Sequence, residues 1–95
     1  MKNESSGTLP PASSPITTII VEDDVSVRPL LAEWIQETAG FTLLGQYADA
    51  ESALPAIMKH KPEIVLTDIN LPGLSGIGLV RQGKLGLTNT QFVML

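Results

Sequence analysis

From Thr17 to the last residue, short β-rich runs alternate with apolar residues at helical spacing, and this alternation limits the fold more than any other feature. "TTIIV" (Thr17 to Val21) is a strand-like run that meets three acids, Glu22, Asp23 and Asp24. Val27, Leu30, Leu31, Trp34 and Ile35 then follow the i, i+3, i+4, i+7, i+8 rhythm of one helical face. Ser26 is placed to cap this helix and Pro29 falls in its first turn, where a missing N–H costs little. Gly40 stops it. "FTLLGQY" (Phe41 to Tyr47) reads as a second strand. Ala50, Ala53, Leu54, Ile57 and Met58 repeat the helical rhythm, with Asp49 as cap and Pro62 as terminator. Pro55 lies inside that segment and is expected to delay the helix start to about Ser52. "IVLT" (Ile64 to Thr67) is a third strand, Ser75 to about Gly86 a glycine-studded third helix, and "QFVML" a fourth strand.

The βαβαβαβ order has crossovers long enough for parallel pairing, so the expected class is α/β, with helices on both faces of a parallel sheet. The uniformly apolar third strand agrees, because parallel strands are buried on both sides. Trp34 and Met58 are expected in the core. Ninety-five residues form one small domain. Residues 1–15, "MKNESSGTLPPASSP", carry little to bury and read as a disordered Ser/Pro-rich leader, leaving 16–95 for the domain.

Composition removes several function classes. The net charge of -4 offers no basic footprint for nucleic acid. With no cysteine, disulfides and thiolate chemistry are excluded, and a single histidine disfavours a zinc site. No apolar run is long enough to cross a bilayer, and the start of the chain lacks a secretory signal, which makes the cytoplasm the default location.

The acids are the remaining signal. Open parallel sheets bind ligands at the carboxyl ends of their strands, where strand order reverses. With a flavodoxin-like order 2-1-3-4, the first and third strands are neighbours, and Glu22 and Asp23 meet Asp68 in one crevice. Crowded carboxylates repel and hold protons unless a cation intervenes. Magnesium suits such a site, since it takes oxygen ligands and pairs one or two carboxylates with a phosphate. For Asp24 alone, capping the first helix is the simpler role.

"IIVEDD", the later "IVLTDINLPGLSG" and the 44 residues separating Asp23 from Asp68 resemble the receiver domain of bacterial two-component response regulators. The resemblance covers residues 16–95 and implies an incomplete flavodoxin-like receiver that is not itself an enzyme. It implies that Asp68 is the phosphoacceptor, taking a phosphoryl group from a sensor histidine kinase or phosphotransfer protein. It implies Mg²⁺ held directly by Asp23 and Asp68, with Glu22 acting through water, and by the backbone carbonyl of Asn70. Pro72 and Gly73 match the loop that shapes the site.

The family also places a Ser or Thr after the fourth strand and a Lys after a fifth. Neither position falls within these residues, and Thr67, Lys84 and Thr88 do not match them. A truncated receiver is expected to expose apolar surface on the sheet and along "QFVML", to be weakly stable alone, and to gain from homodimerisation or a partner. A pseudo-receiver, a protein-interaction module that is never phosphorylated, stays open as the alternative.

Other motifs fail on their own chemistry. A phosphatase of the haloacid-dehalogenase type needs a second Asp where Asn70 stands. A calcium loop starting at Asp68 meets Pro72 and then Leu79 instead of its closing Glu. "GLVRQGKL" ends in Leu85 where a phosphate-binding loop needs a hydroxyl. His60 sits between two lysines at a helix end, which is a structural setting for a cation.

Overall fold

A computed structural model describes residues 15–68, Gly78, Arg81 and 89–95. The elements, in chain order, are β1 (Ile16–Val21), α1 (Val27–Glu37), β2 (Phe41–Tyr47), α2 (Ala50–His60), β3 (Ile64–Thr67) and β4 (Gln91–Met94). Gly78 and Arg81 have helical backbone within the expected third helix. The rest of that helix, together with residues 1–14, Asn70, Pro72 and Gly73, lies outside the described residues.

All strand pairs are parallel and the order is β2-β1-β3-β4, the expected arrangement. Side chains alternate between the two faces of a strand, so parity sorts the core. Ile19, Val21 and Val65 share one face with Ala50, Ala53 and Ile57 of α2, all of them sealed from solvent. Ile20 has the opposite parity and faces the layer of α1, which lies over β2 and β1 and buries Ala32.

Leu44 is an extra residue in β2: Thr18 pairs with Leu43, but Ile19 pairs with Gly45. This bulge re-phases the strand, bringing Gly45 and Tyr47 opposite Ile19 and Val21 on the α2 face.

The helix ends correct three expectations. Ser26 occupies the cap position of α1 but makes no side-chain cap bond. Asp24 does this work instead, its Oδ1 accepting from the N–H groups of Ser26 (2.8 Å) and Val27 (3.2 Å). The helix ends at Glu37 with Thr38 as cap, two residues before the left-handed turn that Gly40 makes at φ 90°. In α2, Asp49 accepts from the Ser52 N–H at 2.7 Å and starts the helix at Ala50, not Ser52. Pro55 is tolerated in the interior because its ring faces solvent, while Ala50, Ala53 and Ile57 pin the opposite side to the sheet.

Trp34 and Met58 are not core residues. Trp34 is 65% exposed and Met58 36%. The apolar stripe on α1 is wider than its contact: Ala32 is buried and Leu31 and Ile35 half-buried, which rolls Val27, Leu30 and Trp34 outward. In α2 the inward line runs through Ala50, Ala53 and Ile57, and Met58 falls a further 100° around the helix. Val93, on the α1 side of the edge strand β4, and Leu95 just beyond it are also exposed.

Candidate metal and phosphoryl site

The site begins where β1 and β3 end side by side. Val21 pairs with Thr67, and the Asp68 N–H donates to the Val21 carbonyl at 3.1 Å, so the next residues of both strands leave the sheet together. On one side these are Glu22 and Asp23, and on the other Asp68. A carboxylate oxygen of each lies within 4.8 Å of the others. The two acid-bearing strand ends thus converge as the sequence leads one to expect, with the third expected ligand, Asn70, outside the described residues.

The three acids differ in setting. Glu22 is buried, Asp68 half-buried and Asp23 exposed. Glu22 is held at three points: its N–H donates to the Tyr47 carbonyl (2.9 Å), its carbonyl accepts from Arg28 Nη1 (2.8 Å), and its Oε2 accepts from the Asp24 N–H (3.1 Å). Burial pushes the Glu22 carboxyl above its ordinary range. The bond from Asp24 N–H opposes that rise, and the charges of Asp68, Asp23 and Asp24 add to it. Asp24 moves the other way: amide and hydroxyl donors from Ser26 and the amide of Val27 hold its carboxyl below the usual range, as befits a cap.

Such a crowd of acids is unfavourable by itself, and an ion with oxygen chemistry relieves it. The donor set is wholly carboxylate oxygen, the type that Mg²⁺ and similar hard cations take.

The model of the response regulator receiver domain matches residues 18–94. The chain belongs to that family. Among curated proteins this receiver is 38% identical to an uncharacterized response regulatory protein of Shewanella oneidensis, over 68% of the chain and 28% of that protein. It therefore spans under a third of that relative's length. The signal receiver domain of the response regulator NarL from Mycobacterium tuberculosis superposes with a TM-score of 0.80 at 18% identity, covering 85% of this chain and 65% of that one; this likeness is one of fold. A chain of the CheX-CheY-BeF3-Mg²⁺ complex of Borrelia burgdorferi gives a TM-score of 0.75 at 28% identity, covering 84% of this chain and 60% of that one.

Among the described residues, Arg28 is a site residue that sequence reasoning missed. It stands within an apolar helical stretch six positions after Glu22, and no local pattern ties its guanidinium to the acid loop. Among the described residues no helix is long and apolar enough to cross a membrane.

Proposed function

We propose that this receiver takes a phosphoryl group onto Asp68 from the phosphohistidine of a sensor histidine kinase or a phosphotransfer protein, with Mg²⁺ as cofactor. The observation that carries the reading is the convergence of three carboxylates from two strand ends within 4.8 Å. Asp23 and Asp68 would hold the cation directly, with Glu22 acting through water, and the family pattern would add the backbone carbonyl of Asn70. Pro72 and Gly73 are assigned to the loop that shapes the site only by their match to the family pattern. The CheY structure with BeF3 and Mg²⁺ supports the same chemistry by likeness.

The step is a displacement at phosphorus. An Asp68 carboxylate oxygen forms the new P–O bond as the P–N bond to the donor imidazole breaks, and the imidazole leaves with a proton. The divalent cation, when bound, neutralises charge on the phosphoryl oxygens in passage. Burial of Glu22 keeps a negative charge close to the ion without exposing a competing nucleophile. The receiver contributes a phosphoacceptor side chain and no enzyme activity of its own, and it works in the cytoplasm. The product adds about -1.5 to -2 charge at the strand ends, enough to bias a switch in surface structure.

Incubation with Mg²⁺ and acetyl phosphate followed by intact mass measurement tests the proposal. One added phosphoryl group on the wild type, absent from Asp68→Asn and suppressed by a chelator, is the expected result. A folded wild-type chain with no adduct overturns it and leaves a pseudo-receiver, an interaction module without phosphorylation.

A further inference from the structure

Asp23 is the most exposed of the three clustered acids, and its carboxylate makes no hydrogen bond among the described residues. Among the described residues, no hydrogen bond on the side chain fixes where it points. Its direction must come from the backbone, and the backbone before it is clamped. The peptide unit joining Glu22 to Asp23 is planar, so fixing the Glu22 carbonyl oxygen also fixes the Asp23 nitrogen and narrows the directions open to the Asp23 Cα–Cβ bond. Arg28 Nη1 holds that oxygen at 2.8 Å.

Arg28 is well placed to act as a clamp. Its own N–H donates to the Asp24 carbonyl at 2.9 Å, so the residue grips the acid loop from both main chain and side chain. Its stem is half-buried at the start of α1, and the Glu22 N–H is tied to Tyr47 on the other flank. The loop is thereby braced between α1 and the end of β2. A guanidinium is a rigid, permanently charged donor that gives up little freedom on making such a bond.

We propose that Arg28 is a positioning residue for the cation: through the Glu22 carbonyl it sets the Glu22–Asp23 peptide plane and so aims the Asp23 carboxylate at the cluster. The inference rests on the cation site proposed above. It also makes a claim of unusual sign. Arg28 carries a positive charge beside a cation site, so electrostatics alone predict that removing it tightens Mg²⁺ binding. A positioning role predicts that removal weakens it.

The experiment is an Mg²⁺ titration of the ¹⁵N-labelled chain by ¹H–¹⁵N spectra, with wild type, Arg28→Met and Arg28→Lys, and with the heteronuclear NOE of the Asp23 amide measured before any metal is added. The expected result is a loss of affinity of about tenfold in Arg28→Met, the lower end of what losing a supporting partner costs a metal site. Arg28→Lys keeps the charge and recovers part of the affinity. The metal-free Asp23 amide loses order in Arg28→Met, while amides of Ile19, Ile57 and Val65 keep their shifts. Equal or tighter Mg²⁺ binding by Arg28→Met overturns the inference, as does an unchanged Asp23 NOE. Should Arg28→Met not fold, Arg28→Lys decides by the same two readouts, and wild-type behaviour in both overturns the inference. A wild type that binds no Mg²⁺ sinks the cation site instead, and the metal-free NOE then still decides whether Arg28 orders the loop.

Discussion

Glu22→Gln is expected to stabilise the metal-free receiver at neutral pH. Glu22 is 6% exposed as a residue, and a carboxylate oxygen of it lies within 4.8 Å of one from Asp23 and one from Asp68. Two unit charges at that distance repel by about 0.9 kcal/mol in bulk water and about 3.5 kcal/mol at an effective dielectric of about 20. Because Asp23 opens the cluster to solvent, the lower figure applies, and two pairs amount to about 2 kcal/mol. Gln retains an oxygen for the Asp24 N–H but loses the charge assistance, which offsets about 1 kcal/mol. The net gain of about 1 kcal/mol corresponds to a rise in Tm of about 4–8 °C for a domain of this size.

The pH dependence carries the proof. The folded Glu22 carboxyl titrates above its ordinary value of 4.5, so the folded state binds the proton more tightly than the unfolded state. The wild type therefore has its full Glu22 contribution below 4.5 and loses stability as pH rises through the raised value. The variant has no such loss, so its advantage appears near neutral pH and vanishes at about pH 4. Thermal unfolding by far-UV circular dichroism with a chelator present, at both pH values, reads this directly. Adding Mg²⁺ should then raise the Tm of the wild type more than that of the variant. A variant less stable than wild type at neutral pH, or an equal difference at both pH values, refutes the reasoning that burial, with charge crowding added to it, penalises the ionised Glu22.

Two further outcomes follow from the packing. In Gly45→Ala the new Cβ meets Tyr47 Cε2 and Oη at 3.0 Å and Cζ at 3.2 Å, and the ring is packed against the α2 core, so a loss of about 1–2 kcal/mol is expected in denaturant unfolding. Trp34→Ser, at an exposed position, should change stability by no more than about 0.5 kcal/mol, and the emission of Trp34 in the wild type should barely move on unfolding; a red shift would restore it to the core.

The sequence by itself determined the order of the described elements, the parallel sheet and the acids that converge at its edge. The βαβ rhythm needs only local spacing to be read. Helical crossovers of this length suit parallel strands, and parallel strands put their carboxyl ends on one edge, where Glu22, Asp23 and Asp68 stand. Asp24 and Asp49 were legible as caps for the same reason, since a cap acts within four residues. What reached beyond that range was decided by the tertiary structure. Periodicity marks an apolar face but not how much of it touches the sheet, and α1, lying over β1 and β2, leaves Leu30 and Trp34 in solvent. The bulge at Leu44 depends on pairing between strands, which no spacing within one strand reveals. Arg28 belongs to the acid loop only because α1 turns back over the end of β1 and brings a guanidinium to the Glu22 carbonyl, a contact made in space across a turn.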